Sequence, residues 1–178
     1  MRINEQACTV RHQPSVFTGK QPHLVTTRQF SALAEGACRI LDIEIPDLTL
    51  ADAAGARALT FDIGTVEITI AIEPGRDPSR LFFFCQLGAI PEERASEILR
   101  RLLEANYARL SDDAAILSID PDVGAVVLEY NVAVSEFTPE ALVASLYRTA
   151  EIAMKWRESH FLDDRRGSQS SAESVDFA

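Results

Sequence analysis

Three cysteines and three histidines are the residues of this chain best suited to covalent or metal chemistry. Cys85 ends a run of three phenylalanines, and a cysteine nucleophile needs a neighbouring base to form its thiolate. The histidines (His12, His23 and His160) lie in or beside the two ends of the chain. Cys85 also alternates in step with apolar neighbours, which is the pattern of a small core residue. We therefore expect no catalytic residue and no enzyme activity.

Two other groupings have the residue types of a metal site without its spacing. Cys8, His12 and His23 match no standard zinc pattern and have no fourth ligand near them. Asp120 and Asp122 resemble the start of a calcium loop, but apolar residues replace the downstream ligands, which favours a hairpin turn. No glycine-rich phosphate loop occurs. The sequence therefore predicts no metal and no cofactor.

Composition narrows the function classes further. The chain has 178 residues, a net charge of −10 and a sequence pI near 4.7. This sign argues against nucleic acid, whose phosphates need a basic surface, and against anionic membranes. No apolar stretch approaches the length of a membrane span. Three widely spaced cysteines do not form a disulfide framework, so we expect a reducing cytoplasm.

Hydrophobic periodicity divides the chain into three helices and five strands. The segment before residue 26 and the segment after residue 162 are polar and lack a sustained period. We predict a flexible extension over 1–25, one folded domain over 26–162 and a disordered polar tail over 163–178. The fold class is α+β, in the order α-β-β-β-α-β-β-α, with an antiparallel five-stranded sheet packed against the helices. The predicted elements are a helix over 28–42, strands over 59–63, 66–73 and 80–87, a helix from Pro91, strands over 115–119 and from Val126, and a helix that Thr138 caps.

The third predicted strand carries apolar residues on both faces. Phe83 and Cys85 point to one side, and Phe82 and Phe84 to the other. One side must meet the helices, and the other is then either an apolar surface for a protein partner or a second buried face. The pattern alone leaves both possibilities open.

The segment from Phe30 to Phe161 resembles the Tir-chaperone family, the class I chaperones of type III secretion effectors. The similarity lies in the order of the elements and in two stretches, FFFCQLGAIPEE leading into ILRRLLEANY, and ILSIDPDVGAVVLEYNV. The closing helix with Trp156 fits as well.

This resemblance implies a small, non-catalytic bacterial cytoplasmic homodimer. Such a chaperone binds the N-terminal chaperone-binding region of one or a few effectors, keeps it extended and secretion-competent, and delivers it to the export apparatus. The secretion ATPase is then a further expected partner. The alternative is a YbjN-like regulatory protein-binding domain of the same fold that is not dedicated to secretion.

The resemblance also directs attention to two surfaces. For the dimer interface we predict Ile98, Leu102 and Ile116, with Leu99 and Leu103 toward the sheet, although the two sets on the second helix are interchangeable in the pattern. For effector binding we predict the stripe of the first helix and the second face of the third strand. The effector-binding residues are Phe30, Leu33, Ala37, Leu41, Phe82 and Phe84.

Overall fold

A computed structural model describes residues 8–12, 24–48, 56–73, 76, 77, 79–108 and 115–161 of the chain. Its helices are α1 (Leu24–Ile40), α2 (Ala95–Ala108) and α3 (Pro139–Ser159). Its strands are β1 (Cys8–His12), β2 (Arg57–Ile63), β3 (Val66–Ile72), β4 (Arg80–Ala89), β5 (Ile116–Ile119) and β6 (Ala125–Ala133).

The strands form one antiparallel sheet in the order β1-β2-β3-β4-β6-β5. From α1 onward the order of helices and strands is as predicted, and the α+β class with its five antiparallel strands is confirmed. β1 is an addition at the edge, and it lies within the segment predicted to be a flexible extension. The tail over 163–178 lies outside the described residues, so the three domain boundaries stay predictions.

The helix-facing side of the sheet forms the core, and α3 packs across its centre. Alternate residues of β4 (Leu81, Phe83, Cys85 and Leu87) are fully or almost fully buried there. The Phe83 ring stacks on Tyr130 of β6 with centroids 4.5 Å apart. Trp156 near the end of α3 is completely buried beside Gly88, where β4 is irregular and φ is +141°.

α1 packs against α3, and Gly36 lies at their contact. A Cβ at this position would come within 2.5 Å of Cγ and 2.7 Å of Cβ of Pro139, the first residue of α3. Such distances are too short for real side chains, so a residue with a Cβ here would force the helices to shift. Close packing therefore explains a glycine that weakens α1 by about 1 kcal/mol relative to alanine.

The ends of α3 follow the predicted capping pattern. Thr138 Oγ1 accepts a 3.2 Å hydrogen bond from the Ala141 N–H, and proline occupies the first helical position. His160 ends the helix in the left-handed region. Arg157 then donates from Nε to the Leu87 carbonyl (3.0 Å) and from Nη1 to the Thr65 carbonyl (3.1 Å). These bonds fasten α3 to the sheet.

The boundaries of three elements differ from those predicted. α1 begins at Leu24, four residues earlier than predicted. Pro91 precedes a short 3-10 turn (Glu92–Arg94), and the α-helix starts after that turn. Strand β4 continues to Ala89 because the irregularity at Gly88 bends the strand without ending it. Local propensity places element ends less accurately than element centres, because packing extends or trims them.

Candidate partner-binding surfaces

The outer face of α2 is the most exposed large apolar surface of the described residues. Leu99, Leu103 and Tyr107 follow each other at intervals of four residues and are 38%, 70% and 76% exposed. Residues at this spacing lie on one side of a helix. On the opposite side, Ile98 and Leu102 are buried in the core. We call the exposed residues Leu99, Leu103 and Tyr107 the α2 row.

The structure thus places the two predicted sets of α2 the other way round. Ile98 and Leu102, predicted for the dimer interface, contact the chain's own core, while Leu99 and Leu103 face outward. Ile116, the third predicted interface residue, is 56% exposed on β5. Which of the two sets faces the core depends on how α2 docks on the sheet. The sequence of a helix with apolar residues on both sides does not specify this docking.

Asn106 provides this docking. Its side-chain amide donates from Nδ2 to the Leu117 carbonyl and accepts the Leu117 N–H at Oδ1, both at 2.9 Å. The side chain therefore hydrogen-bonds to edge strand β5 much as a neighbouring strand would. The contact fixes the end of α2 beside β5.

The predicted effector-binding stripe of α1 is mostly buried. Phe30, Leu33 and Ala37 are 1%, 6% and 0% exposed, and Leu41 is half-buried against the core. The stripe is covered because α1 packs against α3 and the core. In this arrangement those three side chains have no free surface for a partner. The apolar residues left open near the end of α1 are Ile40 (48%) and Ile45 (41%).

The sheet face opposite the helices carries Phe82 and Phe84, whose rings stack with centroids 6.5 Å apart. Phe84 is half-buried, but Phe82 is only 4% exposed. The guanidinium of Arg76 lies 4.4 Å from the centre of the Phe82 ring and covers it. An arginine of the chain itself therefore covers part of the face predicted to bind the effector.

Two carboxylates hold Arg76 in this position. Its Nη2 lies 2.7 Å from Glu129 Oε1 on β6, and its Nε lies 3.7 Å from Glu73 Oε2. Burial raises the pKa of the Glu73 carboxyl, Arg76 opposes that shift, and the nearby Glu129 charge adds to it. An aromatic ring and two carboxylates thus surround one cation.

The described side chains considered for chemistry do not form a reactive centre. Cys85 is 1% exposed, and burial raises the pKa of its thiol to about 12, so the thiol is protonated at neutral pH. Asp120 lies in the predicted hairpin turn, where its carboxylate accepts the Asp122 N–H at 2.9 Å. Among the described residues no group of side chains is arranged to hold a metal ion. Cys8 and His12 fall on β1, and His23 lies outside the described residues.

The described part of the chain also contains no helix that is both long and apolar enough to cross a lipid bilayer. What the surface offers is apolar rows and an occupied aromatic face, which suits contact with other polypeptides.

Comparison with known proteins agrees with this conclusion. The sequence profile of the Tir chaperone protein (CesT) family matches residues 41–157, more than half of the 178 residues. The chain belongs to this family. The resemblance inferred from the sequence, to chaperones of type III secretion effectors, is thereby confirmed. A search of curated protein sequences gave no significant match.

Several solved structures share the fold of this chaperone. The HopA1–SchA chaperone–effector complex superposes with a TM-score of 0.58 at 17% identity, covering 77% of this chain and 99% of the other. The Yersinia pestis type III secretion chaperone SycH, in complex with a stable fragment of YscM2, gives 0.53 at 17% identity, covering 71% and 98%. The ExsC–ExsE complex gives 0.52 at 21% identity, covering 76% and 94%. At such identities the likeness is one of fold.

Proposed function

We propose that this chaperone is a cytoplasmic bacterial homodimer that binds the N-terminal segment of one or a few type III secretion effectors. It keeps that segment extended and delivers it to the export apparatus, with the secretion ATPase as a further partner. The observation that carries the proposal is the family match across residues 41–157. Membership in this family also favours a secretion chaperone over a YbjN-like regulator.

The α2 row supports the dimer. Two side chains of the row, Leu103 and Tyr107, are more than two thirds exposed, which is costly for large apolar residues in water. A two-fold dimer uses the same patch on both subunits, so one row along a helix can cover its own copy. This interface replaces the one predicted through Ile98 and Leu102.

The client segment is proposed to contact the sheet and the end of α1. The candidate contact residues are Phe84, which is half-buried on the sheet face opposite the helices, and the exposed Ile40 and Ile45 near the end of α1. An extended polypeptide can join a sheet through its main chain while alternate side chains fill apolar positions. The buried predicted residues Phe30 and Leu33 belong to the core on the helix-facing side of the sheet.

A non-catalytic role is part of the proposal. The Cys85 thiol is buried and protonated at neutral pH, and its nearest charged influence is Arg157, not a base. A thiol in such surroundings lacks the activation that a nucleophile requires.

Co-expression tests the proposal directly. The chain carrying an affinity tag is co-expressed with each protein encoded beside it, and captured partners are trimmed by limited proteolysis and identified by mass spectrometry. We expect one partner whose protected fragment is an N-terminal segment and which is insoluble when expressed alone. Capture of no neighbouring protein, or protection of a folded C-terminal domain, would contradict the proposed function.

A further inference from the structure

The five strands that follow α1 meet other groups of the chain at both of their edges. At the β5 edge the side chain of Asn106 forms hydrogen bonds with both the N–H and the carbonyl of Leu117. At the other edge β1 pairs with β2 along its whole length, from Cys8 opposite Ile63 to His12 opposite Leu59. A strand that adds to a sheet requires a row of free backbone groups. In this arrangement β2 has none to offer along the paired stretch.

The β1 segment has the form of a bound peptide. It is a five-residue extended segment, it precedes the helices and strands of the domain, and residues 13–23 separate it from α1. It also lies outside the segment that matches the chaperone family, which starts at residue 41. Its pairing adds backbone hydrogen bonds to one edge and leaves the order of the other five strands unchanged.

On the basis of the proposed function, we propose that β1 is an internal substitute for the client and that a client strand replaces it on β2. The exchange trades backbone hydrogen bonds one for one, so it is governed by side chains and by the tether between β1 and α1. The side chains of β2 then determine which client sequences fit this edge. Client residues opposite Leu59, Phe61 and Ile63 lie on the helix-facing side and should be apolar, whereas those opposite Thr60 and Asp62 should be polar.

The sequence of β1 makes it a weak occupant. Opposite the completely buried Phe61 it places Val10, but opposite Leu59 it places His12, which is polar. A client with large apolar residues at both positions would therefore compete well. A client strand cannot bind to β2 while β1 occupies the edge. The apparent affinity for a client is therefore the intrinsic affinity multiplied by the fraction of time the edge is free. Freeing the edge should consequently strengthen client binding.

A disulfide lock tests the exchange in the full chain. Opposed pairs of antiparallel strands alternate between hydrogen-bonded and non-hydrogen-bonded geometry, so two adjacent pairs sample both. One variant is Ile63→Cys, which uses the native Cys8 opposite it, and the second is Thr9→Cys with Asp62→Cys in a Cys8→Ser background. The matched control carries Ile63→Cys together with Cys8→Ser and cannot form the lock.

The probe is the N-terminal fragment recovered by co-expression, titrated by calorimetry against oxidised and reduced protein. We expect the oxidised lock to weaken binding at least tenfold, which corresponds to about 1.4 kcal/mol, and reduction to restore it. The control should bind equally in both states. If the lock forms and the oxidised protein binds as tightly as the reduced protein, the exchange is refuted while the proposed function stands.

A second probe does not depend on any client. The strand register directs the Arg11 N–H toward Thr60 of β2. Arg11→Pro in the full chain therefore removes a backbone donor to β2 and should release β1. A fluorescent peptide of residues 6–14 should then bind this variant at least tenfold more tightly than the wild type and should not bind the oxidised lock. Absence of peptide binding to a folded Arg11→Pro variant would overturn the inference. If that variant fails to fold, the lock experiment decides. If co-expression captures no client, the proposed function fails separately and the peptide still reports on the edge.

Discussion

Replacing Leu103 should dissociate the proposed dimer without unfolding the subunit. Burying a whole leucine side chain contributes about 1.5–3 kcal/mol. Since 70% of Leu103 is exposed in the single chain, a dimer that covers it gains about 1–2 kcal/mol per subunit. A two-fold interface contains two copies, so Leu103→Ala should weaken association by about 2–4 kcal/mol, roughly a 30- to 1000-fold rise in Kd.

Sedimentation velocity over a range of protein concentrations measures this shift against the monomer mass of 19.6 kDa. The adjacent Leu102 is the matched control, because it is 5% exposed and faces the core. Leu102→Ala should cost about 2–5 kcal/mol of unfolding free energy. An unchanged Kd for Leu103→Ala, or a wild type that is monomeric at micromolar concentration, would show that the α2 row is not the interface.

Four further predictions concern the single subunit. Gly36→Ala should lower the melting temperature in scanning fluorimetry, because the new Cβ would lie 2.5 Å from Pro139 Cγ; a higher value would show that α1 and α3 separate without cost. Cys85 should resist iodoacetamide at mildly alkaline pH until urea unfolds the chain, since its thiol has a pKa of about 12; peptide mapping that finds rapid native alkylation would contradict its burial. Glu73→Gln should raise the free energy of unfolding at neutral pH. The pKa of Glu73 is raised in the folded state, so the ionised carboxylate destabilises the fold above that pKa, and this cost disappears as pH falls toward the unfolded value near 4.5. The gain from the substitution should therefore shrink on acidification. Urea titrations at several pH values measure this, and a pH-independent gain would refute it. Truncation at Asp163 should leave the melting temperature unchanged, and a fall of many degrees would show that the tail packs on the domain.

The sequence predicted the helices and strands well where one period dominates a segment. In β3, buried and more exposed residues alternate over Val66–Thr69, as the apolar and polar residues of its sequence predict. α3 begins with the cap that Thr138 and Pro139 predict. These features depend on residues within a few positions of each other, so they can be inferred without knowledge of the rest of the fold.

Features that depend on distant contacts could not be predicted in this way. The reason for Gly36 is a proline at the start of another helix. The side of α2 that faces inward depends on Asn106, whose partner is the backbone of β5. The cover over Phe82 comes from Arg76, which lies in the connection between β3 and β4. An amide near the end of an apolar-striped helix was the available signal for the docking of α2, but it does not identify its partner.

The apolar surfaces of the described chain differ in how they are covered, and the difference fits the two kinds of partner proposed. Two of the surfaces proposed for a client are covered by groups of the chain itself: β1 pairs with the β2 edge, and Arg76, held by Glu73 and Glu129, covers Phe82. The α2 row has no such cover, and Tyr107 and Leu103 are its most exposed members. A permanent partner needs no temporary cover, whereas a client site must stay soluble between clients. The α2 row is therefore best explained by a second copy of the chain, and the covered surfaces by a client that comes and goes.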